Sequence, residues 1–92
     1  MKDFLAQLGI NLPGAENEDM RYVINIPNSN EYGKVFSKLD NNSSILEIPN
    51  EDDSFNFEKI SYESEDYYID LYSNYEDDEY RLECYKKDND IL

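Results

Sequence analysis

Glu63-Ser-Glu-Asp-Tyr-Tyr-Ile-Asp-Leu-Tyr-Ser-Asn-Tyr-Glu-Asp-Asp-Glu-Tyr-Arg-Leu-Glu-Cys-Tyr-Lys-Lys87 decides how the chain is read. Two runs alternate with a period of two, which sends successive side chains to opposite faces of a sheet. Tyr67, Ile69 and Leu71 share one parity, and Tyr68, Asp70 and Tyr72 the other. In the second run Tyr80, Leu82 and Cys84 share one parity, and Arg81, Glu83 and Tyr85 the other. Tyrosine and isoleucine suit a pleated, half-buried surface. The stretch therefore reads as an antiparallel hairpin with one apolar face and one face of carboxylates and tyrosines. Its connection, Asn74 to Asp78, is too acidic to bury.

Upstream, the pattern supplies what the apolar face needs to pack against. Phe4, Leu5 and Leu8 form a narrow stripe on a short helix over 2–9. Gly9 suits a left-handed stop, with Ile10 folding back on the last turn. Asn11 to Gly14 reads as a turn and Ala15 to Asp19 as a polar loop. Met20, Tyr22, Ile24 and Ile26 alternate as a strand that Pro27 ends, with Arg21, Val23 and Asn25 on its other face. Asn28 and Glu31 fit a capping box opening a helix to Leu39. Tyr32, Val35, Phe36 and Leu39 make its buried face.

Ile45 to Ile48 reads as a short strand, Asn50 to Asp53 as an acidic turn, and Ser54 to Tyr62 as another strand. Phe55 and Phe57 have the opposite parity to Ile60 and Tyr62, so a bulge is expected near Glu58 and Lys59. Asp88 to Leu92 reads as a frayed tail. The expected fold is α+β: one domain over 1–92, with an antiparallel meander sheet of four to five strands and two short helices on one face.

Charge gives the functional lead. The 92 residues carry a net charge of −14. Residues 1–46 hold six acids and four bases, a net of −2, whereas residues 47–92 hold sixteen acids and four bases, a net of −12. Seven of the nine tyrosines also fall in the second half. Solubility needs a magnitude of only about 2–8 on a small domain. Such an asymmetry points to one interacting surface. Phosphate contacts need clustered lysine and arginine, so no direct nucleic-acid binding is expected. An anionic membrane would repel the chain. The expected partner is a basic, nucleic-acid-binding protein.

The chain has no histidine, P-loop, dinucleotide fingerprint or nucleophile elbow. Asp52 to Glu63 lacks the glycine of a calcium loop. No enzyme activity, metal or cofactor is expected. Cys84 is the sole cysteine and reads as a core residue. Without a signal peptide or a membrane-length apolar run, the expected location is the cytoplasm, that of the host cell if a phage encodes the chain.

The expected partner-binding set is Glu63, Glu65, Asp66, Tyr68, Asp70, Tyr72, Glu76, Asp77, Asp78, Glu79, Glu83 and Tyr85. Alternate strand residues lie about 6.6–6.8 Å apart, a scale similar to phosphate spacing. Carboxylates so placed can stand where a basic groove expects phosphates, and tyrosines between them can stack on arginine. The same residues also read as a solvated face stiffened by cross-strand tyrosine pairs.

In its short length, acidity and tyrosine content, mainly over residues 47–90, the chain resembles small nucleic-acid mimics. These include phage anti-restriction proteins, uracil-DNA glycosylase inhibitors and many anti-CRISPR proteins. The resemblance implies an inhibitor that blocks the DNA-binding groove of a host defence nuclease, a CRISPR effector foremost. An immunity protein or antitoxin against a basic nuclease toxin would use the same electrostatics. A soluble adaptor subunit is the third reading.

Overall fold

The computed structural model describes residues 1–49 and 58–87. The expected acidic turn at 50–53, the opening of the following strand at 54–57, the first half of the calcium-loop comparison and the expected tail at 88–92 lie outside the described residues. The elements are α1 (Lys2–Gln7), β1 (Ala15–Glu16), β2 (Tyr22–Ile26), α2 (Ser29–Asp40), β3 (Leu46–Ile48), β4 (Glu58–Glu63), β5 (Tyr67–Asn74) and β6 (Glu79–Lys86).

The six strands form one antiparallel sheet in the order β1-β2-β6-β5-β4-β3. The last four strands are the expected meander. β2 closes against β6, so the first and last strands of the expected set become neighbours. α2 therefore lies on the connection that carries the chain from one side of the sheet to the other.

Register explains the core. Ile24, Leu82, Leu71 and Ile60 form one cross-strand row, and Tyr22, Cys84, Ile69 and Tyr62 form the next. These rows pack in one cluster with Leu5 and Ile10 from the N-terminal segment, Tyr32, Val35 and Leu39 from α2, and Ile45. Full burial of each such aliphatic side chain contributes about 1.5–3 kcal/mol. Both helices thus serve one face of the sheet, as the apolar parity implied.

The helix ends follow local chemistry. Gly9 has φ 87, Gly9 N–H donates to Ala6 O and Ile10 N–H to Leu5 O. That left-handed stop turns Ile10 back onto Leu5. Asn28 Oδ1 accepts from Glu31 N–H at 2.9 Å and starts α2. Phe36 is half-buried rather than central, and its ring lies 6.5 Å from that of Tyr32.

Three expectations change. Ala15 and Glu16 are not loop but a short edge strand, paired with Val23 and Tyr22. Gly14 permits it, because a Cβ there would stand 2.7 Å from Val23 O. Met20 is not a strand residue: it has φ 61 and is 71% exposed. The Asn17 side chain accepts from both Asp19 N–H and Arg21 N–H and turns the chain outward at that point. Finally, the β4–β5 pairing runs without interruption from Glu58↔Ser73 to Glu63↔Tyr68. Among the described residues no bulge occurs at Glu58 and Lys59. Among the described residues no helix is long and apolar enough to cross a membrane.

Candidate functional site

The sheet face opposite the helices carries the outward parity. Register arranges it in three rows. The first runs Val23, Glu83, Asp70, Ser61 and Ile48. The second runs Asn25, Arg81, Tyr72 and Lys59. The third runs Tyr85, Tyr68, Glu63 and Leu46, with Arg21 at its β2 end.

Asp70 and Glu83 are direct cross-strand partners, an arrangement of like charges that is unfavourable alone. Arg21 resolves it. Its Nη1 lies 3.3 Å from Asp70 Oδ2 and 3.0 Å from Glu83 Oε1. Ser61 Oγ donates to Asp70 Oδ1 at 2.8 Å. Arg81 Nε lies 2.8 Å from Glu83 Oε2 as an ion-pair contact. The carboxylates hold the Arg21 guanidinium above its ordinary pKa, against the opposing effect of its burial.

The tyrosines are the floor for these cations. Arg21 Cζ lies 4.0 Å from the Tyr85 ring centroid, and Arg81 Cζ 4.4 Å from that of Tyr72. Lys87 Nζ lies 5.2 Å from the Tyr68 ring and 2.8 Å from Glu63 Oε2. The Tyr68 and Tyr85 rings are 5.4 Å apart. Burial raises the Tyr85 phenol pKa, and Asp70 adds to it.

The expected row of exposed carboxylates is thereby corrected at its centre. Asp70 is only 5% exposed, and Glu83 and Glu63 are half-buried in ion pairs. The reason is the cations of the same parity, Arg21, Lys59, Arg81 and Lys87, which make this face nearly neutral. Tyr68, Tyr72 and Tyr85 do share it.

The open acidity lies at the two ends of the β5–β6 hairpin. At one end Glu76, Asp77, Asp78 and Glu79 are all exposed. Asn74, expected in the exposed connection, is buried instead: its Oδ1 accepts from Glu76 N–H and Asp77 N–H, and its Nδ2 donates to Asp77 Oδ2. Tyr75 stands beside these acids, 62% exposed, edge-on to Tyr32 and Tyr80. At the other end Glu65 and Asp66 are exposed in the turn after β4. An eight-residue strand separates the two ends by about 24 Å at roughly 3.4 Å per residue.

Sequence reasoning missed the cation lattice, although the parity of Arg21 and Arg81 announced it. It also read Glu16 only as part of a polar loop. With Asp19, Met20, Arg21, Tyr85 and Lys87, Glu16 lines a cleft of about 1080 Å³ at the flank of this face.

No family model, no curated protein and no solved structure matches the chain.

Proposed function

We propose that the chain is a non-enzymatic inhibitor that mimics nucleic acid. It occupies the DNA-binding groove of a host defence nuclease, a CRISPR effector foremost. The observation that carries this reading is how the charge is used. Arg21, Arg81, Lys34 and Lys87 are held in internal ion pairs, and Lys38 donates to Gly9 O. Among the described residues, Glu65, Asp66 and Glu76 to Glu79 form no ion pair and face water. They bracket a sheet face of tyrosine and guanidinium groups. A surface with negative ends and a neutral, ring-bearing strip between them offers a basic channel substitutes for phosphates and bases. The separation of about 24 Å is twice the roughly 12 Å width of a major groove. The surface therefore suits a channel that holds a whole duplex. Channels of that kind grip a guide–target heteroduplex through its backbone.

The test is a panel of purified CRISPR effectors, each with labelled target DNA and increasing amounts of this protein. The expected result is loss of DNA binding by at least one effector at fixed stoichiometry, with no turnover. DNA binding that survives an excess of the protein in every case rejects the reading. Neutralisation of a basic nuclease toxin in the same format would favour the immunity-protein reading instead.

A further inference from the structure

The outward sheet face repeats one construction three times: a tyrosine ring with a carboxylate beside it and a cation seated on both. Tyr85 with Glu83 and Asp70 holds Arg21, with the guanidinium carbon 4.0 Å from the ring centre. Tyr72 with Glu83 holds Arg81 at 4.4 Å. Tyr68 with Glu63, its direct cross-strand partner, holds Lys87 at 5.2 Å. The first two units carry the ligand that fits them best. A planar guanidinium stacks on the ring and still offers in-plane donors to a carboxylate, whereas an ammonium is a strongly hydrated point charge.

The third unit differs in more than its ligand. The Glu63 side chain is 38% exposed and that of Lys87 24%, against 6% for Asp70 and 14% for Glu83. The cleft lined by Tyr85, Lys86 and Lys87 opens beside it. Lys87 is anchored through its backbone, by N–H donation to Asp66 O, so its side chain can leave without unpicking the strand.

We propose that the Tyr68–Glu63 unit is an arginine-binding site, occupied in the free protein by Lys87 and taken in the complex by an arginine side chain of a basic protein partner. The charge matches and the ring matches, and the two neighbouring units show the bound geometry in this same sheet. Lys87 acts as a placeholder that keeps Glu63 paired until the partner arrives. The proposal deepens the reading of a basic partner by naming the group it presents, and rests on that reading for its biological use.

The test uses the full chain, with hexa-arginine and hexa-lysine peptides as probes and NMR of the tyrosine rings as the readout. Hexa-arginine is expected to shift the Tyr68 ring signals, with hexa-lysine of equal charge doing so several-fold less at the same concentration. Lys87→Ala should tighten hexa-arginine binding several-fold more than Lys86→Ala, which removes the same charge one residue away. Tyr68→Leu should cancel that gain while the remaining tyrosine signals report an intact fold. Equal tightening by Lys86→Ala and Lys87→Ala, or Tyr68 signals that do not move, would overturn the site. The peptides involve no nuclease. Failure of every effector in the DNA-competition panel would therefore leave a positive peptide result standing, and a negative peptide result would leave groove blocking standing.

Discussion

Asp70 and Glu83 face one another across β5 and β6 as paired carboxylates, and Arg21, from the residue before β2, is clamped between them. The clamp ties the N-terminal part of the chain to the hairpin across 49 and 62 residues of sequence. It makes Asp70 structural, even though its parity marks it as outward-facing.

Asp70→Ala should therefore destabilise the protein. Removing one partner of a fully buried ion pair costs about 3–5 kcal/mol, and exposed pairs contribute little. The Arg21 side chain is 32% exposed, so screening reduces the effect to about 2 kcal/mol. Urea unfolding measures it. A midpoint matching the wild type would show that Arg21 and Glu83 suffice without Asp70.

Tyr62 supports the opposite expectation. The residue is 1% exposed, and among the described residues its hydroxyl has no hydrogen-bond partner. Burial pushes the phenol pKa well up, and Glu47 and Asp40 push it further. An unsatisfied buried polar group costs about 1–3 kcal/mol. Tyr62→Phe keeps the ring and removes the orphan, so it should raise stability by about 1 kcal/mol. A lowered thermal midpoint would mean that the hydroxyl is satisfied after all.

These two residues show what the sequence made legible and what it did not. Alternation placed Tyr62, Ile69, Leu71, Leu82 and Cys84 on the core side, and the structure has them there. Alternation also placed Asp70 and Glu83 outward, which is correct for direction and wrong for exposure. Parity fixes the face of a side chain, whereas exposure depends on what the neighbouring strands set beside it. The pairing of β2 with β6, which brings Arg21 over Asp70, is a long-range choice without a local signal. Met20 failed for a nearer reason. The Asn17 side chain captures two backbone donors, and β2 begins at Tyr22, two residues after the hydrophobic pattern begins at Met20. β1 was hidden because two residues carry no periodicity.

Cys84 gives a pH test. The thiol is fully buried, and burial pushes its pKa up from 9.0 to about 12. The unfolded chain then loses this proton at a lower pH than the native protein. Stability follows the difference in bound protons, so the contribution is complete below pH 9 and falls as pH rises toward 12. Between about pH 9 and pH 10, before most tyrosines titrate, wild type should lose stability faster than Cys84→Ala. Parallel pH profiles of the urea midpoint would show that the thiol is not the linked group. Thiol-modifying reagents should also react only upon unfolding.

The last prediction locates the mimicry. Glu76→Lys with Glu79→Lys reverses two exposed charges at the hairpin tip, and Glu65→Lys with Asp66→Lys reverses two at the other end. Asp3→Lys with Asp40→Lys makes the same change in net charge on the helices, which lie behind the sheet. All six side chains are exposed, so all three double variants should fold. Asp70 and Glu83 are unsuitable for this purpose, because reversal there breaks the Arg21 clamp. If the two ends meet the two walls of a basic channel, each end pair should weaken binding to a responsive effector by about tenfold or more. The helix pair should weaken it by about threefold at most, through its effect on the association rate. The differences should shrink between 0.05 and 0.5 M salt, because exposed charges are screened over about 10 Å at 0.1 M. Equal losses for all three pairs would leave bulk charge as the only determinant and remove the channel-spanning geometry. Loss confined to the tip would retain the hairpin end, with Tyr75 at its base, as the whole of the contact.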